Sequence, residues 1–242
     1  MKEKEIIKKP NHLFYFSVLV FLTTSITHLY CCVRNLDEYR FLSKKFLIPT
    51  LLFLYFQITN KETRSTIIIL ALIFGSIGDY LLIYYENSKC LVMGLGSFLL
   101  GHFFYIIKIV TSIEIKLWKE GMFKALAIFV FFFCFTYYLF KFHLGEGMIK
   151  GKVEKPGIMY MSTLSILDSC SIFYFINKKT KESSLVMLGS LLFSTSDFIL
   201  TKQIFYFDFD YSQFMIMLTY IMAQAFLVIG LSKNKSEKYK IR

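Results

Sequence analysis

The sequence lacks the local signatures of several common enzyme classes. Its five cysteines form no Cys-x-x-Cys pair, so neither a disulfide framework nor a thiolate metal site is expected. No Gly-x-Ser-x-Gly element and no phosphate-binding glycine loop occur, which argues against a serine hydrolase and an NTPase. Its four histidines include no His-x-x-x-His pair, which argues against a histidine-rich zinc hydrolase.

Charge is also scarce, because only 19% of the 242 residues are charged whereas 55% are hydrophobic. Mean hydropathy is +0.53, and the apolar residues form long blocks of the kind that membrane-spanning helices need, about 20 residues each. The net charge of +11 falls mainly at block edges and in the tails, where it can meet anionic headgroups. No basic stretch is interleaved with exposed aromatics, so nucleic acid is not an expected partner.

The blocks predict a single all-α membrane domain, residues 1–242, with eight transmembrane helices. Continuous apolar runs exclude the alternating pattern of a β-barrel, and short polar connectors indicate antiparallel neighbours. The second block is short and is expected to extend into Lys44–Lys45. The first block is long for a signal peptide and has no cleavage site, so we expect it to be retained. The predicted helices are 13–33, 46–59, 66–85, 91–113, 122–142, 157–177, 183–206 and 213–231.

Lysine and arginine are more frequent on the side of the chain that holds both tails, so both termini are predicted to be cytosolic. The first outer connector, with Arg34, Arg40 and Lys44–Lys45, runs against this rule. The C-terminal Lys238-Tyr-Lys240-Ile-Arg242 has the Lys-x-Lys-x-x pattern of a cytosolic retrieval signal. We therefore expect the endoplasmic reticulum membrane in a eukaryote and the plasma membrane in a bacterium.

Ionisable groups inside spans usually face the bundle interior and mark functional sites. Asp197 belongs to a polar stripe on the seventh helix, spaced so that its members share one face. Asp79 has Ser76 three residues before it and glycines beside it, which permit close helix approach. Asp168 either joins the same site or links helices. The stripe consists of Ser190, Ser194, Asp197 and Thr201.

A weak internal repeat relates helices three and four to helices seven and eight. Ser76 precedes Asp79 by three residues, as Ser194 precedes Asp197. Two parallel four-helix halves would follow. Both aspartates would then lie about 20 Å from the cytosolic end of their helices.

Polar side chains on helices four and eight complete the candidate site. His102 and Tyr105 share a face of helix four, while Tyr220 and Gln224 lie one turn apart on helix eight. A lone buried histidine is more often structural than a ligand, so both interpretations of His102 stay open.

The ordered series of these motifs resembles the YhhN-like lysoplasmalogenase family of multi-pass membrane proteins, over roughly residues 40–231. One departure is Phe46, where the family usually has proline after the lysine. The motifs are Lys45-Phe-Leu-Ile-Pro49, Gly75-Ser-Ile-Gly-Asp79-Tyr-Leu-Leu82, Gly94-Leu-Gly-Ser-Phe98-Leu-Leu-Gly-His102-Phe-Phe-Tyr105, Lys155-Pro-Gly-Ile-Met-Tyr160, Gly189-Ser-Leu-Leu-Phe193-Ser-Thr-Ser-Asp197 and Tyr220-Ile-Met-Ala-Gln224.

The resemblance implies hydrolysis of the vinyl ether bond of a lysophospholipid, the lysoplasmalogen, to a fatty aldehyde and glycerophosphoethanolamine or glycerophosphocholine. That chemistry needs a protonated carboxylic acid and a second carboxylate, as glycosidases do. We therefore predict Asp79 and Asp197 as the catalytic pair, with no metal or cofactor required. The predicted orienting groups are Ser76, His102, Tyr105, Ser194, Tyr220 and Gln224.

Two other functions remain open from the residues. The buried aspartates could serve a membrane transporter as a proton or cation site. The protein could also bind membrane lipids without catalysis. Substrate movement without cleavage would indicate the transporter, and lipid binding that is insensitive to Asp→Asn substitution would indicate the binding protein.

Overall fold

The protein folds as a bundle of long helices. The computed structural model describes residues 12–139, 154–205 and 209–232. Within these ranges the eight long helices are each apolar enough to cross a membrane, and the predicted all-α architecture is confirmed. The helices are α1 (His12–Val33), α2 (Asp37–Ile58), α3 (Thr66–Leu81), α4 (Ser88–Thr111), α5 (Ile115–Leu139), α6 (Glu154–Lys178), α7 (Lys181–Phe205) and α8 (Ser212–Ser232).

The bounds differ most at α2, which begins at Asp37 instead of residue 46. Asp37 and Glu38 lie in its first turn, where acidic groups favour the positive end of the helix dipole. Arg40 reaches back to Asp37 at 2.8 Å. Arg40 therefore belongs to a helix and not to the connector to which the sequence assigned it, and the expected extension of this helix into Lys44–Lys45 is confirmed.

The other bounds agree to within a few residues, apart from the start of α5. That helix begins at Ile115 instead of 122, and its first turns carry a Lys116–Glu120 pair at 3.7 Å. Helix α3 ends at Leu81 and continues as a 3₁₀ turn, Leu82–Tyr84. The predicted ends at 140–142 and 206 lie outside the described residues.

Helix α8 occupies the middle of the bundle, because it packs against α1, α2, α4 and α7. The most extensive packing joins α7 to α8, followed by α3 to α4. These are the pairs that the proposed repeat matched to each other. The repeat itself stays a prediction, as does the cytosolic orientation of the termini.

Small residues allow the close approach of α3 and α4, as the sequence predicted. A Cβ added at Gly78 would lie 2.7 Å from the ring of Phe98. Ser97 also donates a hydrogen bond of 2.6 Å to the Phe74 carbonyl oxygen of α3. These contacts hold α3 and α4 side by side, and the buried faces of the two helices carry Asp79 and His102.

Candidate active site

Three aspartate side chains lie buried inside the bundle. Asp79 on α3, Asp168 on α6 and Asp197 on α7 are each less than 9% exposed. Asp197 is close enough to the other two for electrostatic interaction with both. Charged or protonated, a buried carboxyl needs hydrogen-bonding partners, and each of the three has one on another helix.

The polar stripe of α7 faces α6. Ser190 contacts Ser171 at 2.5 Å between the hydroxyl oxygens, and Ser194 donates a hydrogen bond of 2.6 Å to Asp168 Oδ2. Asp168 therefore links two helices, which is one of the two roles left open for it.

Asp197 accepts a hydrogen bond of 2.7 Å from the Tyr160 hydroxyl on α6. The sequence did not predict Tyr160 as a site residue, although it ended one of the quoted motifs. Thr201, the last member of the stripe, donates to the main-chain carbonyl of Asp197 at 2.7 Å. Among the described residues, the Asp197 carboxyl is therefore held by one phenol, that of Tyr160.

Asp79 belongs to a separate chain of contacts. Tyr220 donates to Asp79 Oδ2 at 2.8 Å, and Lys44 Nζ lies 3.9 Å from Oδ1. Tyr105 donates to Gln224 Oε1 at 2.7 Å, and Gln224 Nε2 approaches the Tyr220 hydroxyl at 3.4 Å. Side chains from α2, α3, α4 and α8 thus meet around Asp79, including three of the predicted orienting groups.

His102 and Ser76 take less part in this polar arrangement. His102 is 1% exposed, and neither ring nitrogen has a hydrogen-bond partner among the described residues. Its ring packs edge to face on Phe193, 4.4 Å between centroids, and lies 5.5 Å from the Tyr160 ring. Ser76 is half-buried. His102 therefore reaches Asp197 through packing on Tyr160.

A cavity of about 340 Å³ opens beside Asp197, between α4, α5, α6 and α7. Its walls are mostly apolar, and their polar groups include Asp168, Ser194, Asp197 and Thr201. Asp168 Oδ1 is buried without a hydrogen-bond partner among the described residues. Asp79 is not part of this wall. The cavity therefore brings together Asp197 and Asp168, while Asp79 lies behind it on the Tyr220 side.

A second, smaller cavity of about 50 Å³ lies near the C-terminal end of α7 and the N-terminal end of α8. We call it the basic pocket. Leu200 and Ile204 border both cavities. Sequence reasoning missed this pocket because it placed Arg40 in a connector and because the lining comes from helices that are distant in the chain. Its polar lining includes His28, Arg40, Lys44, Tyr85, Gln203 and Gln213.

Metal-binding geometry is not found in the described ranges, where no three His, Cys, Asp or Glu side chains converge in a suitable group.

Comparison with known families gives one match. The model of the YhhN family matches residues 39–231, from the first turn of α2 almost to the end of α8. The match confirms the resemblance drawn from the ordered motifs, and it includes all three buried aspartates. No curated protein and no solved structure is significantly similar to the chain.

Proposed function

The chain belongs to the YhhN family, and from this premise we propose that it hydrolyses the vinyl ether bond of lysoplasmalogens within the membrane. The observation that carries the proposal is a mostly apolar cavity with two buried carboxyls, Asp168 and Asp197, in its wall. An apolar cavity with few polar groups is typical of a site for a small hydrophobic ligand. A single alkenyl chain has that character.

The reaction begins with transfer of a proton from a carboxylic acid to the β-carbon of the vinyl ether. The electron pair of the double bond forms the new C–H bond, and the ether oxygen stabilises the resulting oxocarbenium ion. Water then adds to the α-carbon and loses a proton to a carboxylate. The hemiacetal collapses to an aldehyde as the glycerol oxygen leaves with a proton, so one water is consumed and the acid is regenerated.

Asp197 is the proposed proton donor, because it faces the cavity and its second oxygen is oriented by Tyr160. Asp168 also lines the cavity, and its buried Oδ1 has no hydrogen-bond partner among the described residues, so it is the proposed acceptor of the attacking water's proton. Asp79, the predicted partner of Asp197, acts on the cation through its charge, from behind the cavity wall.

Replacement of single carboxyls by amides tests the assignment. We expect Asp197→Asn to lower aldehyde release at least about 100-fold, since general acid–base catalysis contributes about 10² to 10⁴ in rate. Asp79→Asn should slow the reaction because it removes a charge behind the cavity wall. Asp168→Asn should also slow the reaction. Glu120→Gln, on the exposed surface of α5, is the matched control and should retain full activity.

Aldehyde is measured with purified protein and a vinyl ether lysophospholipid, and folding is checked by size-exclusion chromatography in detergent. Undiminished release by both Asp79→Asn and Asp197→Asn would exclude the paired-acid mechanism. An assay in proteoliposomes distinguishes a transporter from a hydrolase, because a transporter would move the intact lipid between leaflets without releasing aldehyde.

A further inference from the structure

The basic pocket contains two cations that are largely withdrawn from solvent. The side chains of Arg40 and Lys44 are 17% and 18% exposed. Among the described residues no acidic side chain lines the pocket with them. Two like charges that share a small, partly buried cavity repel each other, so this pocket favours an anionic occupant.

The existing partners of both cations leave donors for such an anion. Arg40 uses one nitrogen on Asp37, whose side chain is 62% exposed, and a guanidinium has five N–H donors. Lys44 Nζ lies 3.9 Å from Asp79 Oδ1, which is longer than a hydrogen bond. Two amide side chains also line the pocket, joined by a 2.9 Å hydrogen bond from Gln213 to Gln203. Arginine with lysine is a combination suited to phosphate.

The pocket adjoins the large cavity that contains Asp197. Leu200 and Ile204 border both spaces. Along α7, Gln203 follows Asp197 by six residues, which places it about 9 Å farther along the helix axis. Leu200 and Ile204 form the wall that the two spaces share, so an occupant with its anionic group in the basic pocket has only these two side chains between it and the space beside Asp197.

The separation fits a glycerophospholipid with one chain. Seven bonds join the phosphorus atom to the β-carbon of a vinyl ether at the first glycerol carbon. An extended chain spans at most about 3.6 Å for each three bonds, so these seven bonds reach roughly 8 Å. A phosphate beside Gln203 would thus bring the vinyl ether to the level of Asp197.

We infer that the basic pocket binds the phosphate of a single-chain ether lysophospholipid through Arg40 and Lys44, with the hydrocarbon chain in the large cavity. This inference rests on the proposed function for the position of the vinyl ether at Asp197. The phosphate-binding role of Arg40 and Lys44 can be tested by ligand binding alone, without cleavage.

Binding of uncleavable ligands tests it. The three probes are 1-O-hexadecyl-glycerophosphocholine, 1-O-hexadecylglycerol, which lacks the phosphate, and glycerophosphocholine, which lacks the chain. We expect the first to bind at least about tenfold tighter than each of the others. A hydrogen bond to a charged group contributes enough binding free energy to lower the dissociation constant by about this factor. Dissociation constants are measured with the full-length protein in nanodiscs.

Arg40→Gln and Lys44→Gln should each remove most of the preference for the phosphate-bearing lipid, with binding of 1-O-hexadecylglycerol unchanged. Lys45→Gln is the matched control, since Lys45 is exposed and lies over the Tyr80 ring, 5.4 Å from its centroid. This variant should keep the full preference.

Three results would overturn the inference: no preference in the unmutated protein, an unchanged preference in both variants, or glycerophosphocholine binding as tightly as the lipid. The last would identify a soluble phosphate compound as the ligand. Where a variant fails to fold, comparison of the three probes on the unmutated protein still tests whether the phosphate-bearing lipid is preferred. Selective binding without aldehyde release would refute the proposed reaction and leave the phosphate site standing.

Discussion

At the scale of residues, each buried aspartate is held by a hydroxyl donor from a different helix: Tyr220 for Asp79, Ser194 for Asp168 and Tyr160 for Asp197. The acids were visible in the sequence because a charge in an apolar block is rare and expensive. The pairing was not visible, since the partners are 26 to 141 residues away along the chain.

Tyr160 is the residue whose role depends most on tertiary structure. We expect Tyr160→Phe to lower kcat roughly 10- to 100-fold with little change in KM, because a hydrogen bond to a charged or charge-developing group contributes about 1.5–3 kcal/mol. Tyr84→Phe, which changes a half-exposed tyrosine, should leave both constants unchanged. Steady-state aldehyde release provides the measurement, and an unaltered kcat for Tyr160→Phe would show that the phenol does not position Asp197.

At the scale of elements, hydropathy predicted the existence of all eight helices but not the full length of α2. The helix continues before residue 46, because acidic groups at the positive end of the helix dipole and the Asp37–Arg40 ion pair stabilise these more polar turns. A hydropathy pattern cannot distinguish such turns from a connector. Arg40, one of the two cations of the basic pocket, was assigned to a connector for this reason.

The pairing of α7 with α8 depends on glycine at their contact. A Cβ added at Gly230 would lie 2.7 Å from the Glu182 carbonyl oxygen, and main chain cannot yield as a side chain does. We expect Gly230→Ala to destabilise the fold by about 1–3 kcal/mol, as overpacking generally does.

Gly96→Ala is the control, because an added Cβ there meets nothing within 4 Å. Its thermal stability should equal or slightly exceed that of the unmutated protein, since alanine favours a helix over glycine by about 1 kcal/mol. Thermal unfolding in detergent ranks the three proteins, and identical midpoints for both variants would contradict the close α7–α8 packing.

At the scale of the whole molecule, helices that are distant in the chain bring the candidate site together around α8 and α7. The sequence predicted Asp79, Tyr105, Tyr220 and Gln224 as site residues, and the structure joins them in one chain of contacts. It did not predict that Asp79 would lie outside the cavity wall while Asp168 lies in it. Depth along a helix can be counted from a sequence, but the direction in which a side chain points depends on how all eight helices pack.

The central claim is that a carboxylic acid in this cavity protonates the carbon of a vinyl ether. The most direct measurement is aldehyde release in D₂O, with immediate reduction of the product to the alcohol and mass analysis of the carbon next to the former carbonyl. The mechanism predicts one deuterium on that carbon, and release at least about 100-fold lower in Asp197→Asn. Aldehyde that carries no deuterium, or equal release by the Asp197→Asn protein, would contradict it.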